Sequence, residues 1–163
     1  METYIYPQME WIDDCAKQYN EGFEKKLSKL SGSFSFRVIA EPAWGIDEDV
    51  YFTLKLDAGK LKELKNCTKD YAFENSDFLM AATPQAWKRI LTNKDKFVGA
   101  FMAGRVKLEK GDTVGALAIG PHAGTLVDAL TKPVQLKFPD DLSPEELDIS
   151  KKKLAETRKQ RGV

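Results

Sequence analysis

The sequence predicts an α+β domain in which helices lie against a sheet, and three observations carry that reading. Between Phe97 and Asp112 the apolar pattern changes from helical to strand-like across one glycine. Phe97, Val98, Phe101 and Met102 come first, Gly104 interrupts them, and the alternating run Arg105-Val106-Lys107-Leu108-Glu109 continues to Gly111-Asp112. A helix that stops at a glycine C-cap and is followed at once by a strand produces this pattern. Residues 50–56, Val-Tyr-Phe-Thr-Leu-Lys-Leu, are rich in β-branched and aromatic residues and are closed by Asp57-Ala58-Gly59, which marks the clearest strand of the chain. Over residues 8–30, Ile12, Ala16, Tyr19, Phe23, Leu27 and Leu30 recur at spacings near three and four with charged residues between them, the pattern of an amphipathic helix.

The remaining elements follow in order. Ser31-Gly32-Ser33 stops the first helix, and Phe34 to Ala40 alternates as a strand. Pro42 to Asp49 reads as a loop, so residues 34–40 and 50–56 are expected to pair as a hairpin. Leu61 to Thr68 is ambiguous from its own residues, of which Leu61 and Leu64 suit a helical turn. Phe78 to Ala82 is a short apolar strand. Thr83-Pro84 places threonine at an N-cap and proline at N1, so the following helix presents Trp87, Ile90 and Leu91. After the turn Asn93–Asp95, residues 96–103 form the next helix and 105–110 the next strand. Asp112 caps a helix running to about Ile119, broken by Gly120-Pro121; residues 122–131 form another, with Leu126, Val127 and Leu130 on one side. Val134 to Phe138 alternates as an edge strand. Ser143-Pro144-Glu145-Glu146 is a capping box opening a last helix that begins acidic and ends basic, as the helix dipole favours.

The bulk properties narrow the function classes. The chain has 163 residues, 42% hydrophobic and 31% charged, with a formal net charge of zero; it is long enough for one domain with a proper core. Zero net charge gives no global field toward nucleic acid. The basic residues 151–161 continue an acidic segment without interleaved aromatics, so they read as a solvated helix end that could touch anionic headgroups, not as a nucleic-acid surface. The N-terminus METYIYPQMEW is acidic and broken by Pro7, unlike a signal peptide, and the C-terminus is not a peroxisomal address. No apolar run approaches the ~20 residues of a membrane span. Cys15 and Cys67 form no paired motif. The expectation is a reduced, cytosolic protein, and the glycosylation triplet Asn66-Cys67-Thr68 carries no weight there.

No reaction chemistry stands out. His122 is the only histidine and both cysteines are remote from it in sequence, which leaves a metal site without its ligands and a Ser-His-Asp system without an elbow around its serine. Cys67 reads as part of a polar turn beside lysines. Gly99 to Val106 has the glycine spacing of a phosphate loop but lacks the Lys-Ser/Thr pair and is filled with apolar residues. Carboxylate pairs such as Asp13-Asp14 and Asp140-Asp141 fit solvated faces. No cofactor is implied.

One resemblance orders these pieces. Ala100-Phe101-Met102-Ala103-Gly104-Arg105-Val106-Lys107-Leu108-Glu109-Lys110-Gly111-Asp112 resembles the signature of sterol-carrier-protein-2-like domains, with the strands 50–56 and 78–82 and the helix around Trp87–Leu91 in fitting positions upstream. The resemblance spans roughly residues 15–132. Arg105 stands where lysine is usual, Gly115 to Gly124 is unusually glycine-rich, and residues 133–163 form a C-terminal extension ending in a helix. The resemblance places a strand at 61–68. It implies an α+β domain with a curved, mostly antiparallel sheet of about five strands covered on one side by helices, and a hydrophobic tunnel between the layers. It also implies non-catalytic binding or transfer of a lipid, with an accessory or assembly role as the alternative. The large apolar residues, which composition alone would assign to an ordinary core, then include the expected tunnel lining: Phe52, Leu54, Phe78, Met80, Trp87, Leu91, Phe97, Phe101, Met102, Val106, Leu108, Leu117 and Leu126. The expected partner is a small lipid, with transient membrane contact; the last helix is expected to dock weakly near the tunnel mouth.

Overall fold

A computed structural model describes residues 1–163. Five strands form the main sheet: β2 (Gly32–Val38), β3 (Val50–Asp57), β4 (Lys60–Cys67), β5 (Phe78–Ala82) and β6 (Lys107–Lys110), in the order β4-β3-β2-β5-β6. All neighbours are antiparallel except β2 and β5, which run parallel. Register places Phe52, Phe36, Met80 and Leu108 in one row across four strands. Phe34 and Phe36 stack on Phe78 and Phe52 respectively. Because side chains alternate along a strand, these residues share one face, and that face carries the main core.

Helices cover this face: α1 (Met9–Gln18), α4 (Pro84–Leu91), α5 (Phe97–Met102) and α7 (Ala123–Thr131) all contribute to the same cluster. The opposite face is largely polar. Arg37 pairs with Asp49 and Glu109, both at 2.7 Å, and the Ser35 and Ser76 hydroxyls share a hydrogen bond. A short helix, α3 (Lys69–Asn75), adds a small second cluster there of Tyr51, Cys67, Ala72 and Leu79. The helical cover is therefore one-sided apart from α3.

Most elements form where the local pattern places them. Thr83 accepts from Ala86 N–H with Pro84 at N1, and Asp112 accepts from Gly115 N–H at the start of α6 (Thr113–Leu117). Gly104 follows the C-cap of α5 at φ +78°. The ambiguous segment 61–68 is strand β4. Three readings need correction. The helix expected over 8–30 is broken at Tyr19-Asn20. Asn20 is extended and caps a second helix, α2 (Glu21–Lys26), because its side chain accepts from Gly22 and Phe23 N–H. Residues 134–138 do not edge the main sheet: β7 (Gln135–Lys137) pairs in parallel with β1 (Thr3–Ile5) as a separate two-stranded sheet. Cys67, expected in a polar turn, is buried at the end of β4.

The last helix, α8 (Pro144–Arg161), opens with the expected capping box between Ser143 and Glu146. Leu154 is buried in the main core, while Ile149 is exposed. Polar contacts supply the rest of its docking. Arg161 pairs with Asp13, and Arg158 donates to the Glu48 and Asp49 carbonyls at 2.9 and 2.7 Å. No helix is long and apolar enough to cross a membrane.

Candidate ligand-binding site

Between the sheet and its helical cover lies a hollow of about 60 Å³. The sheet supplies its floor through Phe36, Phe52 and Met80; α4 supplies Trp87, Ile90 and Leu91; α5 supplies Phe97. From α7 come Ala123, Leu126, Val127 and Leu130, and Tyr6, Trp11 and Ile119 complete fourteen lining residues, all hydrophobic. Helical spacing explains each group: Trp87, Ile90 and Leu91, like Ala123, Val127 and Leu130, sit three or four positions apart and face one way.

Polar atoms on this wall are few. The Trp11 indole donates to the Leu130 carbonyl at 2.7 Å, and the Trp87 indole to the Arg37 carbonyl at 3.0 Å. The Tyr6 hydroxyl has no hydrogen-bond partner in the protein, and burial raises its pKa well above the ordinary 10. Beneath the wall, burial pushes the Cys15 thiol up to about 12, and the Asp14 charge adds to this. No group of three or more His, Cys, Asp or Glu side chains is placed so that it could hold a metal ion.

A surface hollow of about 370 Å³ adjoins the cavity and shares Ile90, Phe97, Ala123 and Val127 with it. Its rim adds Asn93, Asp95, Lys96, Val98, Gly120 and Gly124. Asp95 is held there by Arg89 at 3.0 Å and Arg105 at 3.4 Å. These two cations lower the Asp95 pKa, the Arg89 hydrogen bond foremost. A wider polar depression of about 480 Å³ is lined by α8 and by residues of the loop 45–48. No residue of α8 lines the apolar cavity, so the helix is docked away from it.

The residues named from the sequence divide in two. Phe52, Met80, Trp87, Leu91, Phe97 and Leu126 lie together on the cavity wall. Leu54 and Val106 are buried elsewhere in the main core, and Phe78, Phe101 and Leu108 pack against it half-buried. Met102 is 70% exposed, and Leu117 is half-buried on α6. Tyr6, Trp11, Phe36, Ile90, Ile119, Ala123, Val127 and Leu130 join the wall although the resemblance does not point to them. Ile90, Val127 and Leu130 are legible, since each shares a helical face with a named residue. Tyr6 and Trp11 carry no such signal, because only the tertiary path of the N-terminus brings them to the cavity.

A family model described as the SCP-2 sterol transfer family matches residues 14–121. No curated protein matches the chain. Among solved structures, a Thermus thermophilus protein described as possibly a sterol carrier protein is 26% identical over 77% of this chain and 87% of its own, with a TM-score of 0.64. The crystal structure of sterol carrier protein 2 is 25% identical over 76% of this chain and 92% of its own, with a TM-score of 0.59. The apo form of sterol carrier protein 2 from Yarrowia lipolytica, 16% identical with a TM-score of 0.50 over 75% of this chain and 88% of its own, shares the fold. With about two thirds of its length matched by the family model and its fold shared with these structures, the chain belongs to the SCP-2 sterol transfer family.

Proposed function

We propose that the protein binds one hydrophobic ligand, an acyl chain or a sterol-like lipid, between its sheet and helices and releases it unchanged. The observation that carries this reading is the hydrophobic wall of the cavity, fourteen side chains without a charge among them. Ligands of this kind are held by concave apolar surface with few polar groups. Each buried CH₂ contributes ~0.8 kcal/mol, so a chain of ~14 carbons gains ~11 kcal/mol, comparable with the ~4–15 kcal/mol that association costs. Apart from the Tyr6 phenol the wall has no titratable or nucleophilic side chain, which supports carriage over turnover.

At about 60 Å³ the cavity is smaller than the ~300 Å³ of typical ligand pockets, so a lipid enters by parting the wall. The shared residues Ile90, Phe97, Ala123 and Val127 make the adjoining surface hollow the entry side. Val98 lies there beside Lys96 and is 38% exposed, and Met102, one turn further along α5, is 70% exposed. This apolar edge with a cation suits brief contact with an anionic membrane surface. Cys15 and Cys67 are buried free thiols, as suits a reducing, cytosolic setting.

The small volume also favours a second reading, an accessory subunit whose core stays closed. Mass spectrometry of organic extracts from the purified protein, with titration of a fluorescent fatty acid followed through Trp11 and Trp87, separates the two. A co-purifying lipid and saturable binding are expected; neither one appearing leaves the accessory reading.

A further inference from the structure

We infer that α5 is the gate of the cavity: it rolls outward between anchored ends, carries Phe97 off the wall, and lets the lipid pass between α5 and the start of α7. This rests on the binding reading above and names the part of the wall that moves. A hollow of about 60 Å³ admits a lipid only if the wall parts. Phe97 is the one α5 residue on that wall, and it lines the surface hollow as well. Across the surface hollow from α5 stand Gly120, Ala123, Gly124 and Val127. Moving Phe97 outward therefore opens the inner hollow toward the outer one.

α5 is the least firmly held part of the helical cover. α1, α4 and α7 each bury four residues, whereas α5 buries two, Phe97 and Ala100. Indole hydrogen bonds fix the other three: Trp11 on α1 donates to Leu130 on α7, and Trp87 on α4 donates to Arg37 on β2. All the side chains of α5 are apolar, and none caps its N-terminus. At six residues it is too short to hold its own shape without packing, and segments with little buried surface open at the lowest cost. Its ends, by contrast, are anchored. Asp95 accepts hydrogen bonds from Nε and Nη2 of Arg89 on α4, at 3.0 and 3.1 Å, and lies 3.4 Å from Nε of Arg105 beyond the far end. Val106 follows, buried in the core. Lys96 and Gly104, the latter at φ +78° with open space around it, are the element-terminal positions that absorb the motion.

A disulfide across the opening tests this. A Cβ on Gly120, in the turn before α7, would lie 2.6 Å from Val98 Cγ2, and φ at Gly120 is not positive. Cysteines at both positions thus bring their Cβ atoms within the ~4.5 Å that a disulfide spans. The Val98→Cys/Gly120→Cys protein is loaded with cis-parinaric acid, and release to phosphatidylcholine vesicles is timed by stopped flow in the oxidised and reduced forms. The oxidised form is expected to load and release at least ~10-fold more slowly, as a closed lid requires, and dithiothreitol should restore the faster rate. Equal rates in both forms, with the bond confirmed by mass spectrometry, overturn the gate and leave lipid binding intact. Absence of probe binding to the wild type overturns both. Hydrogen exchange of the wild type needs no variant. The Ala100 amide, bonded to the Lys96 carbonyl, should exchange at least ~10-fold faster, relative to its intrinsic rate, than the Trp87 amide bonded to Thr83 on α4. Equal protection of the two refutes the gate.

Discussion

Met80→Ala is the most direct probe of the cavity. Met80 is fully buried on β5, in the middle of the floor. Truncation removes three heavy atoms, which costs ~2 kcal/mol in transfer free energy. It also adds the volume of two to three waters, ~75 Å³, to a hollow of about 60 Å³. At ~24 cal/mol per Å³ the added void costs a further ~1.8 kcal/mol, for a total near 4 kcal/mol. A chain of this length loses ~2–4 °C per kcal/mol, so the melting temperature should fall by ~8–15 °C. The enlarged hollow is lined by aromatic and aliphatic side chains, and such voids stay dry and accept small apolar molecules. An apolar ligand at a hundred times its dissociation constant should then restore ~2.7 kcal/mol. Differential scanning calorimetry of both proteins, with and without octane, measures each quantity. A loss under ~1 kcal/mol would show that the wall collapses onto the site. A normal loss without recovery in octane would show that the void does not join the cavity. Either result refutes the assignment of Met80 to a cavity floor.

Three further outcomes follow from the same structure. Gly104 sits at φ +78° with open space around the Cβ it lacks, so Gly104→Val should cost ~1–2 kcal/mol through backbone conformation alone, and an unchanged denaturation midpoint would contradict this. Burial raises Cys15 to about 12 and Cys67 to about 11, from 9.0; thiolate being the reactive form, native labelling at pH 8 should run ~10³- and ~10²-fold slower than in the denatured protein on ionisation alone, which Ellman titration checks. Burial opposes ionisation of Glu63, but the Tyr71 hydroxyl and Lys65 outweigh it and hold its pKa below 4.5. A depressed carboxylate contributes stability above its unfolded pKa and loses it as pH falls through the folded one, so Glu63→Gln should flatten the acid limb of stability below about pH 4.5, and an unaltered limb would exclude the contribution.

Elements are legible where local signals and tertiary demands agree. The Thr83-Pro84 cap, the Ser143–Glu146 capping box and the break at Gly104 act within one turn of chain, and the structure has all three. The split of the first helix is less visible, because Leu27 and Leu30 stay on the helical spacing across the break; Asn20 decides it by capping a new helix. Strands β1 and β7 escape a reading of the sequence for a deeper reason. Each is three residues long and exists only because the other lies beside it, a pairing between the two ends of the chain that no local window reports. The cavity wall divides the same way: α4 and α7 display their faces as periodicity, whereas Phe101, Met102 and Val106 share the apolar pattern and go to the core edge, solvent and core.

The wall of the hollow divides along the chain. Eight lining residues, Phe36 and Phe52 through Phe97 and Ile119, fall within the stretch matched to the family, and six do not: Tyr6, Trp11, Ala123, Leu126, Val127 and Leu130. The matched stretch supplies the floor and one side, and the two flanks supply the other. Those flanks are also tied to each other. β1 pairs with β7, the Tyr6 N–H donates to the Lys137 carbonyl, its ring meets Phe138, and Trp11 donates to Leu130. Closure of the cavity is therefore a joint act of residues 3–11 and 123–138, and a change in either flank alters the space without touching the shared scaffold. The flanks therefore shape one side of the hollow, while its floor and its other side belong to the sheet and the two helices above it.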